Sequence, residues 1–374
     1  MTNVIARLVL LSLLLTACGT ARAVGLTHPA GLHHYEYVFP DRGVAVYDID
    51  HGHRLVAHWS VPDAHSLRGV AVSPRTGTLY FSVGGNGGSS GDGALVAYDL
   101  LRNRVLWKRS FPTGTDSLAV APDGMTLYVP MGERTMGDIW YVVDARTGRV
   151  RSRIHAGPGP HNTIVSPDGR QVYLGPRNSR YLFVASTRTD RVIRRVGPLL
   201  PGVRPFTVDV ARGLAYTTAT GFLGFQVSSL NSGRVLYTVP VRGFRPGGSL
   251  GAPSHGITIT PDGRRLFVID VPSSYVHAYA VGSGPPRHLA DIPLDHPMTG
   301  TEDPCGGDCG RAGWLQTSLD GRYVYVGDDG DVISATKLKV VGFLPALRNS
   351  RYLFELDWRG GRPVRTSTRS GIAY

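Results

Sequence analysis

Ile164-Val165-Ser166-Pro167-Asp168-Gly169-Arg170-Gln171-Val172-Tyr173-Leu174 reads as two short apolar strands joined by a turn of explicit chemistry. Pro167 presets φ, the Asp168 carboxylate bonds nearby backbone, and Gly169 supplies a positive φ. The unit recurs on either side. Toward the N-terminus it stands as Leu118-Ala119-Val120-Ala121-Pro122-Asp123-Gly124 before Leu127-Tyr128-Val129, and as Gly69-Val70-Ala71-Val72-Ser73-Pro74 before Leu79-Tyr80-Phe81. Toward the C-terminus it stands as Phe206-Thr207-Val208 with Ala215-Tyr216, Ile257-Thr258-Ile259-Thr260-Pro261-Asp262-Gly263 with Leu266-Phe267-Val268, and Thr317-Ser318-Leu319-Asp320-Gly321 with Val324-Tyr325-Val326.

A second unit follows each first one, clearest at Tyr141-Val142-Val143-Asp144-Ala145-Arg146-Thr147-Gly148-Arg149-Val150. Other copies lie at Val46-Tyr47-Asp48, Ala97-Tyr98-Asp99, Val184-Ala185-Ser186, Gln226-Val227-Ser228, Ala278-Tyr279-Ala280 and Ile333-Ser334-Ala335. A spacing of about 40–60 residues suits one four-stranded propeller blade. Seven second units against six first ones predict an all-β, seven-bladed β-propeller closed by strands from both termini. The N-terminal stretch from Tyr35 to Val61 is expected to supply three outer strands of the seventh blade. Gly371-Ile372-Ala373-Tyr374 would be its innermost strand, hiding the sheet edges. Arg177-Asn178-Ser179-Arg180-Tyr181-Leu182-Phe183 returns identically from Arg348 to Phe354, and the second copy is read as part of an extra hairpin.

Composition agrees. The chain carries 48 Gly and 26 Pro in 374 residues, with only 18% charged residues. Lys occurs only at 108, 337 and 339, and Glu only at 36, 133, 302 and 355. The residues that fill exposed helix faces are therefore nearly absent, which excludes a helical bundle and disfavours a doubly wound fold. A hydrophobic content of 42% excludes a largely disordered chain. The formal charge is +12, yet the Arg residues sit singly in turns and strand ends, with no basic run interleaved with aromatics. No nucleic-acid partner is expected.

The Ser-Pro-Asp-Gly/Leu-Tyr-Val unit, joined to the Val-Asp-x-x-Thr-Gly-x-Val unit, resembles the YVTN-repeat β-propeller proteins over nearly all of the chain after its leader. The likeness is by pattern, since Tyr80-Phe81-Ser82-Val83 and Tyr128-Val129-Pro130-Met131 stand where the naming tetrapeptide would. It implies a propeller fold and export, in a family that includes surface-layer and ligand-binding proteins.

Export is also read from the N-terminus. Arg7, an apolar run from Leu8 to Leu15 and then Leu15-Thr16-Ala17-Cys18-Gly19 resemble a bacterial lipoprotein signal with its lipobox. The run is too short to span a bilayer of about 30 Å. The expected organisation is a signal peptide over 1–17, a tether over 18–30 beginning at a lipidated Cys18, and a propeller over 31–374. The body would be a monomer outside the cytoplasm, reaching the bacterial cell membrane only through that anchor. Cys305 and Cys309 are then expected to form a small disulfide staple.

Candidate chemistry comes from one register. About five residues before each Ser-Pro position, where an innermost strand begins, stand Arg68, Asp116, His161, Arg204 and His255, with Trp314 in the sixth unit. A hairpin needs no such side chains, and in a propeller they would ring one mouth of the central channel. Arg68 and Arg204 offer forks for a carboxylate or phosphate, His161 and His255 could exchange protons, Asp116 could orient an imidazole, and Trp314 could stack on a flat ligand. The expected partner is a small anionic ligand or an envelope protein. Gly159-Pro160-His161 ahead of Ser166-Pro167-Asp168-Gly169 also resembles a segment of the seven-bladed lactonases and muconate-lactonising enzymes. That likeness implies acid/base work for His161 and carboxylate anchoring for Arg204, with Asp116 the candidate acidic residue.

No cofactor and no metal are expected. Asp328-Asp329-Gly330-Asp331 lacks the terminal Glu of a calcium loop and reads as a hairpin turn, and His51-Gly52-His53 reads as an exposed turn. Gly247-Gly248-Ser249-Leu250-Gly251 matches a nucleophile elbow but has no helix after it.

Overall fold

The computed structural model describes residues 31–85, 91–245, 247, 251–306 and 309–368. Cys18, the whole leader and tether, Ser249, and the expected closing strand at 371–374 lie outside those residues.

Seven sheets follow one another around a ring. Six are four-stranded meanders in chain order. Blade 2 runs Leu67–Ser73, Thr78–Val83, Gly93–Asp99, Arg104–Phe111, and blade 3 runs Ala119–Val120, Thr126–Pro130, Ile139–Asp144, Val150–His155. Blade 4 spans Pro160–Val165, Gln171–Pro176, Leu182–Ser186 and Arg191–Val196, and blade 5 spans Val203–Asp209, Leu214–Ala219, Phe222–Ser229 and Val235–Pro240. Blade 6 holds Ile257–Ile259, Arg265–Asp270, Tyr275–Ala280 and Arg287–Pro293, and blade 7 holds Leu315–Thr317, Tyr323–Val326, Asp331–Ser334 and Lys339–Phe343.

Blade 1 is different. Its five strands are ordered Arg362–Thr366, Leu353–Arg359, Leu32–Val38, Gly43–Asp48, Arg54–Ser60. The three N-proximal strands lie where the sequence put them. The hairpin read as extra belongs to this same sheet, and Leu353–Arg359 pairs antiparallel with Leu32–Val38 from Leu32↔Arg359 to Val38↔Leu353.

Burial explains the pattern. Gly93–Asp99, with neighbours on both faces, is buried throughout, whereas the outer strand Lys339–Phe343 alternates exposed and half-buried residues. Seven apolar clusters each join two neighbouring sheets. Tyr80 and Leu95 of blade 2 meet Leu127 and Val129 of blade 3. Tyr325 and Val332 of blade 7 meet Val38 and Tyr47 of blade 1, and Val46 and Leu356 of blade 1 meet Val72 and Leu79 of blade 2. No blade buries its faces alone; the ring does.

The turns use the chemistry written in the sequence. Gly169 has φ 67° and donates to the Ser166 carbonyl at 2.8 Å, while Asp168 Oδ1 accepts from Ser166 Oγ at 2.5 Å and from the Arg170 amide at 3.0 Å. In the second unit, Asp144 Oδ1 accepts from the Thr147 amide and hydroxyl, both at 2.9 Å.

Candidate functional site at one mouth of the ring

Three innermost strands share a defect where they open onto the mouth. In blade 2, Leu67 and Gly69 pair with Val83 and Ser82, leaving Arg68 as an extra residue. In blade 4, Pro160 and Asn162 pair with Pro176 and Gly175, leaving His161. In blade 5 the register slips between Val203 and Phe206, around Arg204. A bulge of one residue re-aims a side chain that regular pleating would turn into the sheet stack. Gly159 sets the approach to His161 with φ 72°, and a Cβ there would stand 3.0 Å from the Glu133 carbonyl. Asp116, His255 and Trp314 lie just before the innermost strands of their blades.

Arg68, Asp116, His161, Arg204, His255 and Trp314 all line a single cleft of about 200 Å³. Each is buried, with at most 8% of its surface exposed. Glu133, Arg134, Arg177, Arg311, Arg351 and Tyr352 join them on the same walls. Six guanidinium groups thus face two carboxylates, Asp116 and Glu133.

The polar contacts divide this ring into parts. Asp116 Oδ2 lies 2.6 Å from His161 Nδ1, so that nitrogen carries the proton that orients the ring, and Nε2 is left with no hydrogen-bond partner. The His255 ring lies 6.1 Å from the His161 ring. Glu133 accepts from Arg68 Nη2 at 2.6 Å on one oxygen and from Arg177 Nη1 on the other. Burial alone would raise the Glu133 carboxyl, but His161, Arg68 and Arg177 hold it well below the usual carboxylate range. Arg351 is engaged likewise, donating from Nε to Glu302 at 2.6 Å. With both Glu133 oxygens committed to guanidiniums, the Asp116, Glu133 and His161 trio is a poor metal cage.

Arg204 stands apart. It donates from Nε to Thr220 Oγ1 at 3.0 Å and from Nη2 to the Gly251 carbonyl at 3.5 Å. Among the described residues no carboxylate lies within ion-pair distance of it. Burial, reinforced by repulsion from Arg177, lowers its pKa to about 10 despite the pull of Glu133 and Asp116. This is a desolvated cation whose protein environment does not balance it.

Cys309, Gly310, Arg311 and Ala312 wall one side of the cleft. Cys305 and Cys309 are disulfide-bonded, and their sulfurs accept from Arg68 Nη1 at 2.9 and 2.8 Å. The staple therefore rests directly on a cleft residue. Trp314 packs edge-on against Tyr352, with ring centroids 5.1 Å apart.

Glu133, Arg177 and Arg351 were not expected from the register of the innermost strands. Glu133 and Arg177 lie in loops between the second and third strands of blades 3 and 4, and Arg351 lies just before Leu353–Arg359 of blade 1. Arg177 and Arg351 occupy different positions of the two identical heptapeptides, the first and the fourth.

No family model matches the sequence, and no curated protein matches it. The fold does match solved structures. A protein of unknown function from Desulfotomaculum acetoxidans aligns with TM-score 0.63 and 11% identity, covering 85% of this chain and 98% of that one. Hydrazine synthase of Kuenenia stuttgartiensis aligns with TM-score 0.55 and 16% identity, covering 80% of this chain and 94% of that one. At such identities the likeness is one of fold, and it agrees with the seven-bladed ring.

Proposed function

We propose that the cleft binds a small organic anion, with Arg204 as its principal carboxylate or phosphate anchor and Arg177 beside it. The observation that carries this reading is the unbalanced Arg204 guanidinium, buried among groups that commit their own charges to one another. An incoming anion would supply the missing counter-charge at a guanidinium already largely buried, where such a contact counts most. Trp314 offers an apolar wall for the ligand body. We place this propeller outside the cytoplasm, a lipoprotein of YVTN-repeat type held to the membrane by lipidated Cys18; the leader sequence supports that placement. An envelope protein presenting an acidic side chain would satisfy the same chemistry.

A lactonase- or lyase-type activity is the second reading, and one observation favours it. His161 is oriented through Nδ1 by Asp116 and keeps Nε2 unpartnered beside Arg204 and His255 in the same cleft. That is the arrangement a general acid or base needs next to a bound anion.

Calorimetric titration of the chain with a panel of mono-, di- and tricarboxylates, sugar acids and phosphate esters tests both. Binding that survives His161→Ala but is lost in Arg204→Met identifies a binding module. Turnover of a lactone or unsaturated acid that both changes abolish identifies an enzyme. No heat with any member of the panel refutes the anion site.

A further inference from the structure

The turn Asp328-Asp329-Gly330-Asp331 joins the second and third strands of blade 7, as a hairpin should, but two of its carboxylates point to a task no turn requires. Asp329 and Asp331 are fully buried. Each fixes one oxygen through a backbone amide: Asp329 Oδ2 accepts from Asp331 N at 3.0 Å, and Asp331 Oδ2 accepts from Asp295 N at 2.8 Å. The other oxygen of each, Oδ1, has no hydrogen-bond partner. These two oxygens converge on His296, which arrives on the chain leaving blade 6. His296 Nδ1 stands 3.6 Å from Asp329 Oδ1 and 3.7 Å from Asp331 Oδ1, and it too lacks a partner.

These separations are too long for hydrogen bonds and too short for indifference. Ligand atoms held about 2.0–2.1 Å from one tetrahedral ion stand about 3.4 Å apart; the two histidine-to-carboxylate separations are close to that value, and all three donor atoms lie within 4.8 Å of one another. We propose that His296, Asp329 and Asp331 form a binding site for one divalent transition-metal ion of the zinc class, with water completing its coordination.

The donor set selects the ion. One imidazole nitrogen with two carboxylate oxygens suits zinc and its neighbours better than calcium, which takes six to eight oxygens. The amide bonds to the outer oxygens orient the carboxylates as outer-shell partners do in metal sites. Arg348, the guanidinium that bears on Asp329, donates to the Asp328 carbonyl at 3.2 Å and forms no ion pair with either carboxylate among the described residues. His296 is about one-third exposed, at 34% for its side chain, so an ion and its water can enter. The ion would tie the exit of blade 6 to the hairpin of blade 7 and does not touch the anion cleft.

The test is equilibrium dialysis of the untagged, chelator-treated chain against zinc, with metal analysis and thermal melts, beside Asp331→Asn and His296→Gln. Wild type should hold one more equivalent of zinc than either variant and should melt about 2–4 °C higher with zinc at a hundredfold excess over its dissociation constant. Cobalt in place of zinc should give the visible absorption of a tetrahedral site in wild type only. Equal zinc content in wild type and His296→Gln, or no zinc-dependent rise in melting temperature, overturns the proposal. His296→Gln alters a partly exposed side chain, so it reads the site even if Asp331→Asn fails to fold.

Discussion

Replacing Arg204 by Met should make the ligand-free protein more stable while destroying its anion binding. Met keeps the length and apolar body of the side chain and removes the charge. The lowering of the Arg204 pKa to about 10 corresponds to roughly 3 kcal/mol of unfavourable free energy carried by the charged form in the folded state. Because the group is charged in both folded and unfolded chains at neutral pH, that cost is present throughout the physiological range. Loss of the bonds to Thr220 and Gly251 offsets about 1 kcal/mol of the gain. A net gain of about 2 kcal/mol raises the melting temperature by about 3 °C for a domain of this size. Scanning fluorimetry in a buffer free of phosphate and carboxylate reads it directly. A variant that melts lower than wild type would show that Arg204 is a structural cation, and the anchor role would fall with it.

Several further outcomes follow from the same contacts. Arg68→Met should do the opposite and destabilise by about 3–5 kcal/mol, because it leaves Glu133 buried with only part of its counter-charge; chemical denaturation measures it. Blade 1 should weaken as pH rises. Its bond to Glu355, opposed by burial and aided by Asp357, raises His34 to about 9, so its stabilisation is complete below 6.5 and is lost as pH climbs through about 9. Burial also raises Glu355, whose preference for the protonated folded state fades in the same direction. Melting temperatures should therefore fall from pH 6 to pH 9.5, and His34→Gln should flatten that slope. Paired Cys305→Ser and Cys309→Ser changes should cost about 2 kcal/mol, since the bridge closes so short a loop, and should weaken anion binding through Arg68; melts and titration calorimetry report the two effects separately.

The ring was legible because its turns are. Pro-Asp-Gly and Asp-x-x-Thr-Gly state their own backbone geometry, and between them the apolar strands repeat often enough to count blades. The arrangement of blade 1 was less legible. Nothing in the local pattern distinguishes a hairpin added beside a sheet from one built into it, and only the pairing of Leu353–Arg359 with Leu32–Val38 decides between them.

Cleft residues on innermost strands could be found by aligning blades at their turns, because cyclic symmetry places equivalent positions at one mouth. Glu133, Arg177 and Arg351 could not, since they sit in loops of unequal length that share no register. A signal for Glu133 was nevertheless present. The chain has four glutamates, and Glu36, Glu133, Glu302 and Glu355 are all at most 3% exposed. Taken alone, their scarcity indicates a lack of exposed helix faces. In a protein that surrounds itself with Arg and Asp, each Glu marks an interior place where a carboxylate on a longer stem is required. His296 carried no comparable signal, since its partners lie in another blade.

The most direct measurement is a crystal structure of the chain grown with the tightest-binding acid of the panel. The account predicts its carboxylate or phosphate oxygens about 2.7–2.9 Å from the guanidinium of Arg204, with Arg177 alongside and the ligand body against Trp314. An anion bound elsewhere on the ring, with Arg204 still facing only Thr220 and Gly251, would contradict it.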